Sequence, residues 1–294
     1  MGAGALVAAL ILSGLLLTLA APRVLSHWTL PRRSPAAGLL LWQSVALSGV
    51  VSTLLAAPVA AVAVDDRHPL LLGSACLLSA VMLGRVLWSG HFIGTDLRRT
   101  RKRQGQLVDL AADRLDDLAG SRVHDPVAVL ADDRAIAYCL PGRRDRIILS
   151  RSVLARLERP ELAAVLTHEQ RHLDHRHDLL LELFTVLHEA APEAVRAPGA
   201  LPEVHLLAEI LADRAAVVQV GPVPLARALV AMATAAVTAA PGHPAVAAGG
   251  EQLRVRIGLL TGPAHHPALT AALVALAVAV LALPLALTSA ALLV

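Results

Sequence analysis

The chain has 294 residues, of which 56% are hydrophobic and 17% are charged, and its formal net charge is +3. The apolar residues are concentrated in long runs, which is typical of an integral membrane protein. Aromatic residues make up only 2% of the chain, so a nucleic-acid partner bound by base stacking is not expected. The two cysteines, Cys76 and Cys139, fall in different predicted regions, which indicates a reducing compartment without a disulfide between them.

Four apolar stretches are long enough to cross a bilayer as helices, which takes about 20 residues each. They cover approximately residues 3–21, 37–64, 69–88 and 268–294. The first stretch lacks the basic n-region of a secretory signal, and its apolar run exceeds a typical signal core. We therefore expect a retained membrane helix there, and the lipid bilayer as a partner of the chain.

Basic residues near the ends of these stretches predict how the chain is oriented. The first loop contains Arg23, Arg32 and Arg33, and the run “RRTRKR” at residues 98–103 follows the third stretch. Basic flanks stay on the cytoplasmic side, so both segments are predicted to be cytoplasmic and both termini to lie outside. Attraction to anionic lipid explains residues 98–103 without a nucleic-acid partner.

Residues 95–265 are more polar than both flanks and are predicted to form the working domain, between three membrane helices in 1–94 and a fourth in 266–294. A leucine-spaced helix is expected at 106–120. β-type runs follow, with Pro141-Gly142 as the turn of a hairpin: “PVAVLADD” (126–133), “AIAYCL” (135–140) and “PGRRDRIILS” (141–150). The fold class predicted is mainly α, with a small β-sheet in the working domain.

Helices are predicted for most of the remaining domain. Residues 151–190 have a helical pattern that is divided near Pro160, and the second part is expected to be continuous. After a Pro/Gly-rich loop at 191–202, a further helix is expected to begin around Glu203. An apolar helix and a short amphipathic helix, “GGEQLRVRIGLL”, precede the fourth membrane stretch.

His168, Glu169 and His172 form the motif H-E-x-x-H within the predicted helix. Positions i and i+4 lie on one face of a helix, so both imidazoles can point at a single cation. A catalytic zinc ion needs a third protein ligand and an open position for water, and the glutamate beside the first histidine can remove a proton from that water. By itself the motif also fits an amphipathic helix with a charged, solvated face.

Residues 209–213, “EILAD”, place Glu209 and Asp213 one turn apart on the later helix. A carboxylate ligand can then be accompanied by a second carboxylate that orients a zinc-bound histidine. An isolated pair of this kind would more often be a solvated acidic face, but the upstream H-E-x-x-H favours a metal site.

Taken together, “RPELAAVL”, “LTHEQRH” and “EILADRAA” resemble the integral-membrane zinc metallopeptidases of the BlaR and MecR type, and more distantly the HtpX and CAAX-prenyl endopeptidases. The resemblance implies a cytoplasmic zincin-type (gluzincin-like) α+β domain in a bacterial cell membrane. It implies Zn²⁺ held by His168, His172 and Glu209, with Glu169 as general base and Asp213 orienting a ligand. No penicillin-binding sensor domain is predicted within these residues, which puts β-lactam sensing in doubt.

Other polar residues near the motifs have several interpretations. His205 lies four residues before Glu209 and could replace it as third ligand, or donate to the oxyanion of the scissile carbonyl. His175 is expected to be solvated or to contact a ligand residue, and His177 to make a structural hydrogen bond. Tyr138 is expected to be an ordinary strand residue, with an oxyanion role as the alternative. Arg85 is expected to snorkel to the membrane boundary.

These observations predict a membrane-bound zinc endopeptidase that cleaves a protein substrate at the cytoplasmic face of the membrane. The resemblance suggests a repressor in a signalling pathway, with a sensor protein as a further partner, or a role in membrane-protein quality control. The main alternative is a non-catalytic zinc-containing receptor or scaffold, which the intact Glu169 disfavours because a structural zinc site has no need of a base. A transporter is disfavoured because the apolar stretches contain almost no ionisable residues.

Overall fold

The computed structural model describes residues 2–64, 68–115, 126–142, 145–239, 244–262 and 266–293. These residues are mainly helical, and their strands form one four-stranded sheet. The chain divides into two compact units. The first unit comprises Met1–Thr95, Leu181–Leu207 and His265–Val294, and the second comprises Asp96–Leu180 and Ala208–Ala264.

The helices are numbered in chain order, together with a short π-helix at Leu16–Ala20. They are α1 (Ala3–Leu15), α2 (Ala21–His27), α3 (Pro35–Ala63), α4 (Pro69–Ala111), α5 (Arg151–Arg156), α6 (Arg159–Asp174), α7 (His177–Ala190), α8 (Ala200–Val220), α9 (Pro222–Ala239), α10 (Pro244–Leu260) and α11 (Pro267–Leu292). The strands are β1 (Ala112–Leu115), β2 (Val127–Leu130), β3 (Ala137–Leu140) and β4 (Arg146–Ser150).

Four helical segments among the described residues are long and apolar enough to cross a membrane: Ala3–His27, Pro35–Ala63, Pro69–Ala111 and Pro267–Leu292. Each predicted apolar stretch overlaps one of them, although the stretches at 37–64 and 268–294 were predicted to end one and two residues later than these segments do. Two segments are longer than predicted, because α1 continues through the π-helix into α2 and because α4 runs on without a break to Ala111. By length and composition, these helices indicate a membrane protein.

Glycines let α1 and α3 approach closely in the first unit. A Cβ atom at Gly14 would collide with Thr53 Oγ1, and a Cβ atom at Gly49 would lie 2.7 Å from Thr18 Oγ1. Thr53 Oγ1 donates a hydrogen bond to the Gly49 carbonyl at 2.9 Å. In lipid, helices gain little from burying apolar side chains, so such close contacts between small residues drive their association.

Arginine side chains satisfy buried polar groups elsewhere in the first unit. Arg32 forms a two-pronged ion pair with the buried Glu203, at 2.8 and 2.6 Å. Arg85 Nη2 donates to the carbonyls of Glu189 and Ala191, at 3.0 and 2.9 Å. Arg85 therefore caps the C-terminus of α7, where the last carbonyls of a helix have no partner within the helix. Its expected position at the membrane boundary stays a prediction.

The sheet of the second unit has the order β1-β2-β4-β3, in which β2 and β4 are parallel and the other pairs antiparallel. One face packs against α6 through Ile147 and Leu149, and the other carries Ile148 against Val108 of α4. The three predicted β-type runs are thus strands, and β3 and β4 form the predicted hairpin pair.

The helix predicted at 106–120 is only partly correct. Helix α4 ends at Ala111, and residues 112–115 form β1, paired with Val127–Leu130. Pairing with β2 outweighs the local helical spacing of the leucines, since β-strand formation is decided by neighbouring strands more than by local preference. The predicted stop at Gly120 lies outside the described residues.

The continuous helix predicted after Pro160 is wrong in one respect, because it is interrupted between α6 and α7. Arg176 at this junction has a left-handed backbone, with φ of 48°. Helix α6 begins as expected, with a reciprocal capping arrangement between Glu158 and Glu161. The following helix, α8, begins at Ala200, slightly earlier than expected.

The glycine contact between α1 and α3 can be tested by Gly14→Val. We expect a loss of roughly 1–3 kcal/mol in the free energy of unfolding, because the added side chain forces the two helices apart. Gly73→Val is the matched control, since a Cβ atom at Gly73 on α4 meets nothing within 4 Å. Thermal unfolding in detergent compares the two variants, and equal melting temperatures would contradict the proposed packing.

Candidate metal centre

Two imidazoles on one face of α6 face each other at the centre of the site. The Nε2 atoms of His168 and His172 lie 3.2 Å apart. His168 is buried and His172 is partly buried. The spacing of four residues places both rings on the same side of the helix, so the H-E-x-x-H motif has the geometry expected of it.

Glu209 on α8 supplies the third side chain of this cluster. Its Oε2 lies 3.4 Å from His168 Nε2, and its Oε1 lies 3.3 Å from His172 Nε2. A tetrahedral zinc ion with ligand bonds of about 2.0–2.1 Å has ligand atoms separated by roughly 3.3 Å. The spacing between the nitrogen and oxygen atoms therefore fits a zinc ion, and the two-imidazole, one-carboxylate donor set suits it as well.

The charge state of the cluster follows from its burial and its carboxylates. Burial by itself disfavours an imidazolium, yet the carboxylates of Asp213 and Glu209 raise the pKa of His168 to about 10. Burial would likewise raise the pKa of Glu209, but hydrogen bonds from the two histidines hold that pKa well below its usual range. In the metal-free protein His168 therefore carries a proton, which a metal ion would have to displace in order to bind.

Asp213 stands one turn beyond Glu209 on α8 and contacts the other nitrogen of His168, with Asp213 Oδ1 3.0 Å from His168 Nδ1. It is buried, with a side chain only 2% exposed. A carboxylate in this position selects the tautomer whose Nε2 is free to bind a metal, and it holds the ring in place. The orienting role of Asp213 stays a prediction.

Arg256 on α10 was not predicted as part of the site. Its Nε and Nη2 donate to the two carboxylate oxygens of Asp213, each at 2.7 Å, and its Nη1 lies 2.8 Å from Glu209 Oε2. In the sequence, the amphipathic pattern of this segment was the only indication that one of its arginines is directed inward. That pattern does not tell Arg256 apart from the exposed Arg254 on the same helix.

The remaining histidines take different positions. His177 is buried, and its Nδ1 lies 2.8 Å from Nδ1 of His172. This contact is the structural hydrogen bond that was expected of His177. His175 is exposed and stacks on the His177 ring. His205 is also exposed, and within the described part of the chain the group of ligand atoms that could hold a metal consists of His168, His172 and Glu209.

Glu169 lies beside the edge of the sheet. Burial raises the pKa of its carboxyl group, with partial opposition from the charges of His168 and His172, and the backbone N–H of Cys139 on β3 donates a hydrogen bond to it. The Cys139 thiol is itself protonated at neutral pH, since burial raises its pKa to about 12. Tyr138 packs with Val108 and Ile148 on the opposite face of the sheet, as an ordinary strand residue.

A metal-binding cluster with a carboxylate base beside it is the arrangement that metallohydrolases use to attack a carbonyl with water. The comparisons with known proteins agree with this class. Residues 98–236 match the family model of peptidase family M48, and the matched range contains the H-E-x-x-H motif and Glu209.

The match supports the M48 metallopeptidase family, whose members are hydrolases that are generally zinc-dependent. The match therefore supports the predicted class, a metallopeptidase. The match does not single out the BlaR and MecR type. No curated protein and no solved structure gives a significant match to the chain.

Zinc affinity is expected to fall as the pH is lowered. His168 must lose a proton before its Nε2 can bind a cation, and its raised pKa keeps that proton in place across the neutral range. We expect the apparent affinity to fall about tenfold per pH unit between roughly pH 8 and pH 6, because one proton is displaced per ion. Competition with a chelating dye measures this slope.

The matched variant for this measurement is Asp213→Asn, which removes the first of the carboxylates that raise the pKa of His168. Its affinity for zinc should depend less steeply on pH than that of the wild type. If the wild-type affinity stays constant across the range, His168 is already neutral in the metal-free protein, and the charge state described above is wrong.

Arg256→Leu should destabilise the metal-free protein by about 3–5 kcal/mol, because it removes the arginine that donates to both oxygens of the buried Asp213 carboxylate. Arg254→Leu makes the same change at an exposed position of the same helix, and its effect should stay within about 0.5 kcal/mol. Thermal unfolding in the presence of a chelator compares the two. Equal stability of both variants would show that Arg256 does not stabilise the cluster.

Proposed function

We propose that the chain is a membrane-bound, zinc-dependent endopeptidase that hydrolyses peptide bonds of a protein substrate at the cytoplasmic face of the membrane. One observation supports this most strongly: three ligand atoms, from His168, His172 and Glu209, lie at the separations of a tetrahedral zinc site, and Glu169 follows the first of them directly. The M48 match over residues 98–236 supports the peptidase class independently.

Each residue of the site has a distinct part in this proposal. His168, His172 and Glu209 would hold the zinc ion, which when bound polarises the peptide carbonyl and lowers the pKa of water toward 7. Glu169 accepts the proton from the water and passes it to the leaving amine. Because burial raises its carboxyl pKa, Glu169 is a stronger base than an exposed glutamate.

The edge of the sheet offers a place for an extended substrate. β3 is the last strand in the order β1-β2-β4-β3. Ser150 N donates to the Ile136 carbonyl, so in the antiparallel register Ile136, Tyr138 and Leu140 face β4, and the backbone groups of Ala137 and Cys139 point away from it. A peptide added as a further strand would pair with those groups other than the Cys139 N–H, which donates to Glu169.

This mode of binding favours an endopeptidase. A strand added to a sheet edge is held by backbone hydrogen bonds along its length, so neither terminus of the substrate needs to be recognised. The cytoplasmic location rests on the basic residues that follow the third apolar stretch, as does the placement of both termini outside. The zincin type of the domain rests on the H-E-x-x-H helix beside the small sheet.

The proposal has two forms, which differ in the protein that is cleaved. Similarity to the BlaR and MecR type favours a repressor or another signalling partner, and similarity to HtpX favours membrane-protein quality control. A non-catalytic receptor is disfavoured, because a purely structural zinc site fills its fourth position and does not require a partly buried glutamate such as Glu169.

Glu169→Gln tests the proposal directly. The purified variant should keep one bound zinc ion and lose hydrolysis of fluorescently labelled casein by about 10²–10⁴-fold, because the proton acceptor is removed but the metal ligands remain. His168→Ala should lose both zinc and activity. Glu251→Gln makes the same substitution at an exposed position on α10 and should be fully active.

Zinc content by mass spectrometry and casein hydrolysis are measured on the same samples. Activity that survives in Glu169→Gln would rule out Glu169 as the base. Stoichiometric zinc without hydrolysis in the wild type would favour the receptor. Comparison of new protein N-termini in wild-type and Glu169→Gln cells then separates a single repressor from a broad set of membrane proteins.

A further inference from the structure

A large cleft in the second unit is not used by the metal centre. Its volume is about 1000 Å³, and we call it the basic cleft after the cations that line it: Arg98, Arg101, Lys102, Arg146 and Arg176. The acidic residues in its lining are Asp109 and Asp178. The lining therefore has a clear excess of positive charge.

The internal ion pairs of the basic cleft leave part of this charge unneutralised. Arg146 pairs with Asp109, and Arg101 Nη2 lies 3.4 Å from Asp178 Oδ2. Among the described residues, Arg98 and Lys102 have no ion-pair partner, and both are exposed. Two cations on one turn of α4 are thus available to an anionic ligand.

The basic cleft adjoins the elements that form the metal centre. Leu140, the last residue of β3, lines it together with Pro141. On the other side, Asp178 directly follows His177, whose ring contacts His172. A peptide paired along β3 would therefore run into the basic cleft where it leaves the sheet edge.

We propose that the basic cleft binds an acidic segment of the protein substrate, next to the residues held along β3. This inference rests on the proposed peptidase function and adds a charge preference to it. A volume of this size lies at the upper end of the range for small-molecule pockets, about 300–1000 Å³, and accommodates several side chains of an extended peptide. Complementary charge would select the substrate and speed its association.

A binding measurement on the inactive Glu169→Gln protein tests the basic cleft without any cleavage. The full chain is placed in nanodiscs of phosphatidylcholine, which carries no net charge. The probe is a fluorescent peptide with a neutral centre and four glutamates at each end, and its counterpart has glutamines in their place. Fluorescence anisotropy gives both affinities, and the glutamate peptide should bind more tightly.

The variant Arg98→Glu/Lys102→Glu should weaken binding of the acidic peptide by roughly threefold to tenfold, because exposed ion pairs are individually weak and a charge reversal replaces attraction by repulsion. Arg99→Glu/Arg103→Glu is the matched control. It changes the net charge equally on the same exposed segment of α4, but at residues outside the lining of the basic cleft. The control should bind the acidic peptide as the parent protein does.

Two results would overturn the inference. Equal affinity for the glutamate and glutamine peptides would show that the cleft has no charge preference, and equal losses in both double variants would show only a general attraction between basic and acidic molecules. Binding to phosphatidylglycerol vesicles gives a further test. If neither peptide binds, and only the cleft variant loses binding to these vesicles, the cleft holds lipid headgroups and the inference fails.

The same proteins distinguish this inference from the proposed function. If wild-type protein cleaves casein but shows no charge preference, the peptidase proposal stands and the acidic-segment proposal fails. If the charge preference is present in the Glu169→Gln protein but the wild type cleaves nothing, the peptidase proposal fails, and the basic cleft remains a binding site for acidic peptides.

Discussion

A buried imidazole is stable only when its polar atoms have partners, and His168 obtains both of its partners from one helix. Glu209 faces its Nε2 and Asp213 faces its Nδ1, one turn apart on α8. This pair of contacts requires α6 and α8 to lie in a fixed register. The excess negative charge then requires a buried cation, which Arg256 supplies from α10. Helices α6, α8 and α10 are thus joined by the ionic contacts that surround His168.

The centre of the site could be predicted from the sequence because its geometry is local. The i, i+4 spacing of His168 and His172 survives in any undistorted helix, and the same holds for Glu209 and Asp213. That the histidines of α6 lie close to the carboxylates of α8 could be inferred only from the resemblance to known metallopeptidases. Arg256 could not be predicted, because nothing in its local sequence reveals which of the arginines of α10 is directed toward buried carboxylates.

The errors in the predicted fold have a common physical origin. Residues 112–115 form a strand because β2 is available to pair with them, and the leucine spacing of the sequence contains no information about β2. The left-handed residue between α6 and α7 is Arg176, whereas glycine or asparagine would have marked such a position. In both places tertiary contacts outweigh the local preference of the chain. Within the basic run at 98–103, Arg98, Arg101 and Lys102 line the basic cleft, and Arg99 and Arg103 lie outside that lining.

Arg256 lies outside the part of the chain that matches the peptidase family. The region similar to M48 peptidases stops at residue 236, and it contains Glu169, Asp213 and the three side chains that could hold a metal ion. A fragment cut at that boundary would lack Arg256, the arginine that contacts both Asp213 and Glu209. The fragment would keep Glu209 and Asp213 without this arginine, so the stable unit extends at least through Arg256.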